Sequence, residues 1–154
     1  MPKIDASKAT TVKGSRYPVP FDEPCRGRAN VQLGNAAGLT QFGANLTTLA
    51  PGAWSSQRHW HALEDEFIYV LDGEVVLIEN EGDQLLRAGD CAGFKAGVPN
   101  GHHLVNRSDR EARILTVGSR NAADHGEYPD IDMRFGGDRY SGAGRFTRKD
   151  GTPY

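Results

Sequence analysis

Two histidine pairs and one glutamate are the residues of this chain whose types and spacing could bind a metal ion. His59 and His61 stand at positions i and i+2, Glu66 follows His61 by five residues, and His102 and His103 are adjacent. Alternate side chains of a β-strand point to one face, so the rings of His59 and His61 are predicted to share a face. Imidazole suits Zn, Cu, Fe and Ni, and a carboxylate adds Mn. Three histidines and one glutamate could therefore form the shell of one divalent transition metal ion.

The second histidine pair offers one ring to each face of a strand. His102 would share its face with Leu104 and Asn106, whereas His103 would point the opposite way with Val105. Surface histidines, or core histidines held by hydrogen bonds, would give the same pattern. The spacing alone leaves both interpretations open.

Short strand candidates separated by turn residues fill the middle of the chain and must position these side chains. The candidates are residues 40–49, 54–61, 66–71, 75–78, 84–87, 91–94, 102–106 and 112–117. Asp72–Gly73, after the third of them, is typical of a tight hairpin turn. We find no convincing helical period in any segment. The pattern predicts an all-β sandwich or small barrel.

The chain divides into three parts that together have the size of one domain, at 154 residues. Residues 1–38 lack a sustained period and are predicted to form an N-terminal arm, extended over the domain. Residues 39–119 hold the strand candidates. Residues 120–154, interrupted by several glycines, are predicted to form an irregular C-terminal arm.

Composition argues against several classes of partner. With 18 Lys+Arg against 20 Asp+Glu the net charge is −2, which fits neither a nucleic-acid binder nor capture by an anionic membrane. The longest apolar run, residues 67–71, is far short of the roughly 18 residues of a membrane span. The N-terminus shows no apolar signal-peptide core, so we expect a soluble, cytoplasmic protein. Cys25 and Cys91 form neither a metal motif nor a disulfide framework.

Two stretches of the sequence resemble the two motifs of the cupins. The first is GAWSSQRHWHALEDEFIYVLDG, residues 52–73, and the second is GDCAGFKAGVPNGHHLVN, residues 89–106. Their glycines, histidines, glutamate and asparagine occur in the order of the family's motifs, and flanking strands extend the likeness to about residues 39–119. Three departures stand out. The gap before His59 is one residue longer than usual, Lys95 replaces a proline, and the gap after Gly97 is two residues longer.

The resemblance implies the cupin jelly-roll barrel, a double-stranded β-helix, here with extended N- and C-terminal arms. It also implies one divalent metal ion (Mn, Fe, Ni, Zn or Cu) in the barrel, bound by His59, His61, Glu66 and His102. The distance to Asn106 favours His102 over His103. The family further implies a homodimer, and we expect residues 1–38 to pack across the partner. The chain is similar in particular to small bacterial cupins of unknown function.

This shell favours a metal-dependent enzyme, because four protein ligands leave two positions of an octahedral ion for water or substrate. We expect a small polar metabolite as ligand and isomerase, lyase or oxygenase chemistry. The alternative is a non-catalytic small-molecule or metal-binding cupin, such as a sensor, since the chain holds one barrel with short tails. A storage or structural cupin would not be expected to retain the whole ligand set.

Five other polar residues could belong to the site or to the surface. Glu64 and Asp65 could act as acid/base groups at the mouth of the barrel, or belong to a solvated turn. Gln41 and Asn45 share a face of one strand and would line the bore if that face points inward. His125 is interpreted as a solvated surface residue.

Overall fold

The computed structural model describes residues 3–154, which form mainly β-strands. Met1 and Pro2, the first residues of the predicted N-terminal arm, lie outside the described residues. In chain order the strands are β1 (Thr11–Lys13), β2 (Arg28–Val31), β3 (Phe42–Leu49), β4 (Trp60–His61), β5 (Glu66–Asp72), β6 (Glu74–Glu79), β7 (Gly82–Arg87), β8 (Cys91–Phe94), β9 (His103–Val105), β10 (Ala112–Ser119), β11 (Gly126–Tyr128), β12 (Met133–Gly136) and β13 (Arg145–Thr147). The prediction of an all-β fold is confirmed.

Helices are few and short in the described part of the chain. They are α1 (Leu33–Ala36) and two 3-10 helices, Ala6–Lys8 and Glu23–Cys25. A helix of four residues is little more than one turn, too short to leave a periodic pattern in the sequence. None of these helices is long and apolar enough to cross a membrane.

The strands form three antiparallel sheets. The largest has the order β1-β2-β3-β10-β5-β8, and the smaller two have the orders β13-β12-β11-β4 and β7-β6-β9. The main core lies between the largest sheet and the β7-β6-β9 sheet. Its fully or nearly fully buried side chains are Leu49, Ile68, Val70, Val75, Leu77, Leu104 and Ile114.

The residues on the inner face of the largest sheet change from apolar to polar along its strands. Paired residues of β3 and β10 run in the order Leu49–Ala112, Thr47–Ile114, Asn45–Thr116 and Gly43–Gly118. The first pair belongs to the apolar core, and the later members of the series become polar and then lose their side chains altogether. The barrel is therefore closed by apolar packing at one end and holds a polar cavity of about 650 Å³ towards the other.

Both predicted arms contribute strands to the sheets of their own chain. Within residues 1–38, β1 pairs with β2, which extends the largest sheet by pairing with β3. Within residues 120–154, β11, β12 and β13 form a sheet that pairs with β4. Three or four residues are too few to show an alternating pattern, so these strands left no signal in the sequence.

The Asp72–Gly73 pair does not close a hairpin, and this expectation was wrong. β5 pairs with β8 and β10, whereas β6 pairs with β7 and β9, so Gly73 lies where the chain crosses between sheets. Gly73 has φ +76°, and a Cβ there would lie 2.8 Å from the carbonyl oxygen of Glu111. Glycine is needed because of this close approach and this φ. A hairpin does form at the next turn of the chain, between β6 and β7.

Candidate metal centre

Three neighbouring segments bring the four predicted ligands to one place in the barrel. His61 ends β4, and His59 forms an isolated antiparallel bridge with His102, just before β9. Glu66 opens β5 and pairs with Phe94 on one side and Gly118 on the other. All four side chains line the 650 Å³ cavity.

The ligand atoms of these side chains converge. The Nε2 atoms of His59 and His61 are 3.1 Å apart, and Glu66 Oε2 lies 3.7 Å from the first and 3.4 Å from the second. Ligands bound about 2.1 Å from one ion are separated by roughly 3 Å, so His59, His61 and Glu66 fit a shared cation. His102 Nε2 lies 2.8 Å from Glu66 Oε2, and its ring centroid is 5.2 Å from that of His59.

Hydrogen bonds on the far side of each ring leave the Nε2 atoms free to act as ligands. The Nδ1 of His59 donates to the carbonyl of Gln57 at 2.9 Å, and the Nδ1 of His102 donates to the carbonyl of Asn100 at 3.2 Å. His61 Nδ1 donates to Asp124 Oδ2 at 2.7 Å. Three nitrogen lone pairs and a carboxylate then face one another, and only a proton or a cation between them relieves the repulsion. This donor set fits a divalent transition metal.

Protonation of the cluster follows from its burial and its charges. Burial lowers the pKa of His59 to about 3, with Glu66 partly opposing and His61 and His102 adding to the decrease. Burial alone would raise the pKa of Glu66, but the close contact with His102 Nε2 and the neighbouring His61 and His59 bring it below its ordinary value. At neutral pH the cluster therefore presents a neutral His59 and an ionised Glu66, the protonation states that metal binding needs.

The other two histidines lie outside this cluster. His103 is buried on the opposite face of β9, where its Nδ1 donates to the carbonyl of Ser56 at 2.9 Å and its ring meets Trp54 edge-on. His102, by contrast, contacts Glu66 and stacks on Phe94 with the ring centroids 3.6 Å apart. The ring of His102, which the distance to Asn106 favours as the ligand, therefore faces the cluster, and the ring of His103 faces away from it. His125 is exposed, as expected of a surface residue.

A buried charge network supports His61 from behind. Arg139 donates to Asp124 Oδ2 at 2.9 Å and to Glu64 Oε2 at 2.5 Å. Because this guanidinium already neutralises Glu64 and Asp124, we interpret these two carboxylates with His61 as a support for the ring rather than a second cation site. Tyr140 donates its hydroxyl to Glu64 Oε1 at 2.5 Å, and the backbone N–H of Asn121 donates to the same oxygen at 2.8 Å.

Of the two acid/base candidates, the structure brings only Glu64 to the cavity. Glu64 is 4% exposed and lines both the main cavity and a smaller one of about 210 Å³. Asp65 is exposed and accepts the backbone N–H of Ala96, so it organises a loop. Asn45 also lines the main cavity, whereas Gln41 lies before β3, where its carbonyl accepts the Arg120 N–H.

Comparison with known proteins gives the family. A solved structure from Silicibacter pomeroyi DSS-3, described as a sugar phosphate isomerase from a cupin superfamily, is 44% identical with a TM-score of 0.94. The match covers 99% of this chain and 96% of that one. The chain belongs to the cupin superfamily. The family model of the cupin domain matches residues 45–118, and the predicted resemblance and jelly-roll barrel are confirmed.

Two further structures show how this cupin relates to others. A proposed sugar phosphate isomerase from Acidithiobacillus ferrooxidans is 26% identical with a TM-score of 0.78, over 93% of this chain and 89% of that one. A predicted oxalate decarboxylase from Thermotoga maritima is 23% identical with a TM-score of 0.60, over 77% and 99% of the two chains, and this likeness shows the fold alone. A search of curated proteins finds no match.

Sequence reasoning missed three polar residues of this cupin's site. Asp124, Arg139 and Tyr140 lie in the predicted C-terminal arm, more than 55 positions from His61 and Glu64 in the chain. No local period connects such distant residues.

Proposed function

We propose that this cupin is a metal-dependent isomerase that interconverts an aldose phosphate and a ketose phosphate. His59, His61, Glu66 and His102 would hold the divalent ion. The observation that carries the proposal is the convergence of three imidazole nitrogens and one carboxylate in the wall of a polar cavity of sugar size. The substrate class comes from the relative that is 44% identical along nearly the whole chain.

A divalent cation bound by these residues would polarise the carbonyl and the adjacent hydroxyl of an open-chain sugar. Isomerisation then needs one proton moved between neighbouring carbons, with no external oxidant or reductant. Glu64 suits this task because its carboxylate lines the cavity and is held by Arg139 and Tyr140, without being counted among the metal ligands.

The proton transfer is balanced within the substrate. The Glu64 carboxylate takes the proton from C2 of the aldose, and the electron pair left behind forms the C1–C2 double bond of an enediol while O1 gains a proton. Returning a proton to C1, with loss of the O2 proton, gives the ketose. Tyr140 keeps its own proton at neutral pH, because burial and the hydrogen bond to Glu64 raise its pKa. It can therefore hold Glu64 in place throughout.

The test is to incubate the protein, loaded in turn with Mn, Fe, Ni, Zn or Cu, with pentose and hexose phosphates in D₂O. We expect a ketose product by NMR, with deuterium from the solvent at the carbon that receives the proton. Absence of isomerisation with every metal would exclude the proposed function. Product without deuterium incorporation would exclude transfer through an exchanging carboxylate.

The role of Glu64 is tested by Glu64→Gln. We expect isomerisation to fall by at least about 10²-fold, the usual contribution of an acid/base group, while metal content stays stoichiometric. Glu111→Gln is the matched control, because Glu111 is an exposed turn residue. Full activity in Glu64→Gln would move the proton-transfer role to another group.

A further inference from the structure

Arg120 places an uncompensated positive charge at the polar end of the barrel. It follows directly after β10, and its Nη1 donates to the carbonyl of Leu39 at 2.9 Å. Its Nη2 donates to Asn35 Oδ1, and its Nε is buried with no hydrogen-bond acceptor. Buried donors without a partner are rare in proteins, and each one requires an explanation.

Arg120 and Arg139 differ in the charge of the groups that they contact. Within the described residues 3–154, no carboxylate oxygen lies within 4.0 Å of the Arg120 guanidinium, whereas Arg139 contacts both Glu64 and Asp124. The partners of Arg120 are one carbonyl and one side-chain amide, both neutral. Tyr140 adds only its ring, whose centroid is 5.2 Å from the guanidinium carbon. A guanidinium with neutral partners alone keeps its attraction for an anion.

The position of Arg120 relates this charge to the metal centre. Gly43 and Gly118 face each other across β3 and β10. A Cβ on Gly43 would lie 3.6 Å from Arg120 Nη2, and a Cβ on Gly118 would lie 3.8 Å from Glu66 Cγ. One pair of glycines therefore separates the two side chains, and the missing side chains leave room between them. Arg120 and Glu66 line the same 650 Å³ cavity.

A neutral amide adds a second polar contact at this end of the cavity. A Cβ on Gly43 would also lie 3.9 Å from Asn45 Nδ2, so Asn45 projects beside Arg120. Asn45 lines the cavity and makes no side-chain hydrogen bond among the described residues. A guanidinium and an amide that face one space suit an anion carrying several acceptor oxygens.

We propose that Arg120 binds the phosphate group of the substrate, at the end of the cavity away from the reacting carbons held by the metal centre. This inference rests on the proposed function and names the residue that would select a phosphorylated sugar over a free one. Arg120 would donate to phosphate oxygens through its fork of N–H groups, with Asn45 as a further donor.

The test is a calorimetric titration of the full-length, metal-loaded protein with inorganic phosphate, repeated on the metal-stripped protein. We expect Arg120→Gln to weaken phosphate binding at least about tenfold in both forms, because a charged hydrogen bond is replaced by a neutral one. The matched control is Arg113→Gln, at an exposed arginine of β10, which should bind as the wild type does. Equal affinity in Arg120→Gln and wild type would overturn the assignment.

A second variant separates the charge of Arg120 from its hydrogen bonds to Leu39 and Asn35. Arg120→Lys keeps the charge but not the planar fork, so we expect phosphate affinity between those of wild type and Arg120→Gln. If Arg120→Gln lowers the melting temperature, the phosphate affinity of Arg120→Lys is compared with that of the wild type instead. Phosphate affinity of Arg120→Lys equal to wild type would then overturn the assignment of a guanidinium fork.

Substrate kinetics distinguish failure of this inference from failure of the proposed function. For the isomerase, Arg120→Gln should raise KM for a pentose 5-phosphate at least about tenfold and leave KM for the unphosphorylated pentose unchanged. An equal rise in the two KM values would overturn the phosphate-binding role of Arg120 but not the isomerase activity. If no isomerisation is found, loss of phosphate binding in Arg120→Gln still supports the anion site by itself.

Discussion

His61 offers its Nε2 lone pair to the metal centre because Asp124 accepts the proton on the other side of the ring. Burial alone would raise the pKa of Asp124, but the hydrogen bonds from His61 and the Leu63 backbone, together with Arg139, bring it below its ordinary value. The carboxylate is therefore ionised and fixes both the tautomer and the orientation of the ring. This is the arrangement in which an outer carboxylate makes a histidine a better ligand.

Asp124→Asn should lower metal affinity about 10- to 100-fold, since the amide keeps the shape of the carboxylate but not its charge. Metal content after dialysis and the dissociation constant from competition with a chelator measure the effect. Asp109→Asn, an exposed position on the turn before β10, should bind metal as the wild type does. Unchanged affinity in Asp124→Asn would mean that the hydrogen bond to His61 does not tune the ligand.

The lowered pKa of His59 predicts how the stability of the fold depends on pH once the metal is removed. Its pKa is lowered to about 3, mainly by burial, against about 6.5 in an unfolded chain. Between these values the unfolded state binds a proton that the folded state does not, so stability is complete above pH 6.5 and falls as the pH falls towards 3.

Chelator-treated protein should lose about 1–2 kcal/mol of unfolding free energy between pH 7 and pH 5 through this one group. Urea denaturation at each pH measures the loss, and His59→Gln should flatten the dependence. His125→Gln, at an exposed histidine, should leave the dependence as it is. A wild-type protein equally stable at pH 5 and pH 7 would contradict the buried, neutral state of His59.

At the scale of elements, β11 fixes the position of β4 and so of His61. Gly126 pairs with His61, and a Cβ at Gly126 would lie 2.0 Å from the carbonyl oxygen of Trp60 and 2.5 Å from the ring of Phe135. There is no space for a methyl group between this backbone and this ring. The strand pair therefore depends on glycine at this position.

Gly126→Ala should destabilise the fold by at least about 3 kcal/mol, the upper part of the usual overpacking range, because the obstructing atom belongs to the backbone. Gly136→Ala is the matched control on β12, where the nearest atom to a new Cβ is 3.8 Å away and ordinary contact results. The midpoint of urea denaturation measures both. Near-equal midpoints for the two variants would contradict the close packing of β11 on β4.

The strands also show which parts of the fold and of the site could be predicted from the sequence. The HxH spacing places His59 and His61 on one face, and the alternating runs locate the long strands β3, β5 and β10, because these patterns are local. The supporting residues Asp124 and Arg139 reach the site through tertiary folding of short strands and turns, which no periodicity records. The same limit explains the unpredicted strands of both arms and the crossing at Gly73.

At the scale of the whole molecule, the outer face of the largest sheet is apolar across four strands. Tyr69 of β5 stands in register with Leu115 of β10, which in turn pairs with Leu46 of β3, and Cys91 of β8 lies on the other side of Tyr69. A parallel row at the next level contains Phe67, which is 43% exposed. Monomers rarely leave large contiguous patches of this kind in water.

We predict that a second copy of the chain covers this face, giving the homodimer that the family resemblance implies, with residues 1–38 also packing on the partner. If this face packs on its own copy across a two-fold axis, the dimer is closed rather than a growing chain. Tyr69→Lys places a charge at the centre of the contact and should convert the dimer into a monomer, as measured by light scattering at micromolar concentration. Leu85→Lys, also at an exposed position but on β7 in another sheet, should leave the dimer intact. A wild-type monomer at that concentration, or a Tyr69→Lys dimer, would contradict the assignment of this face.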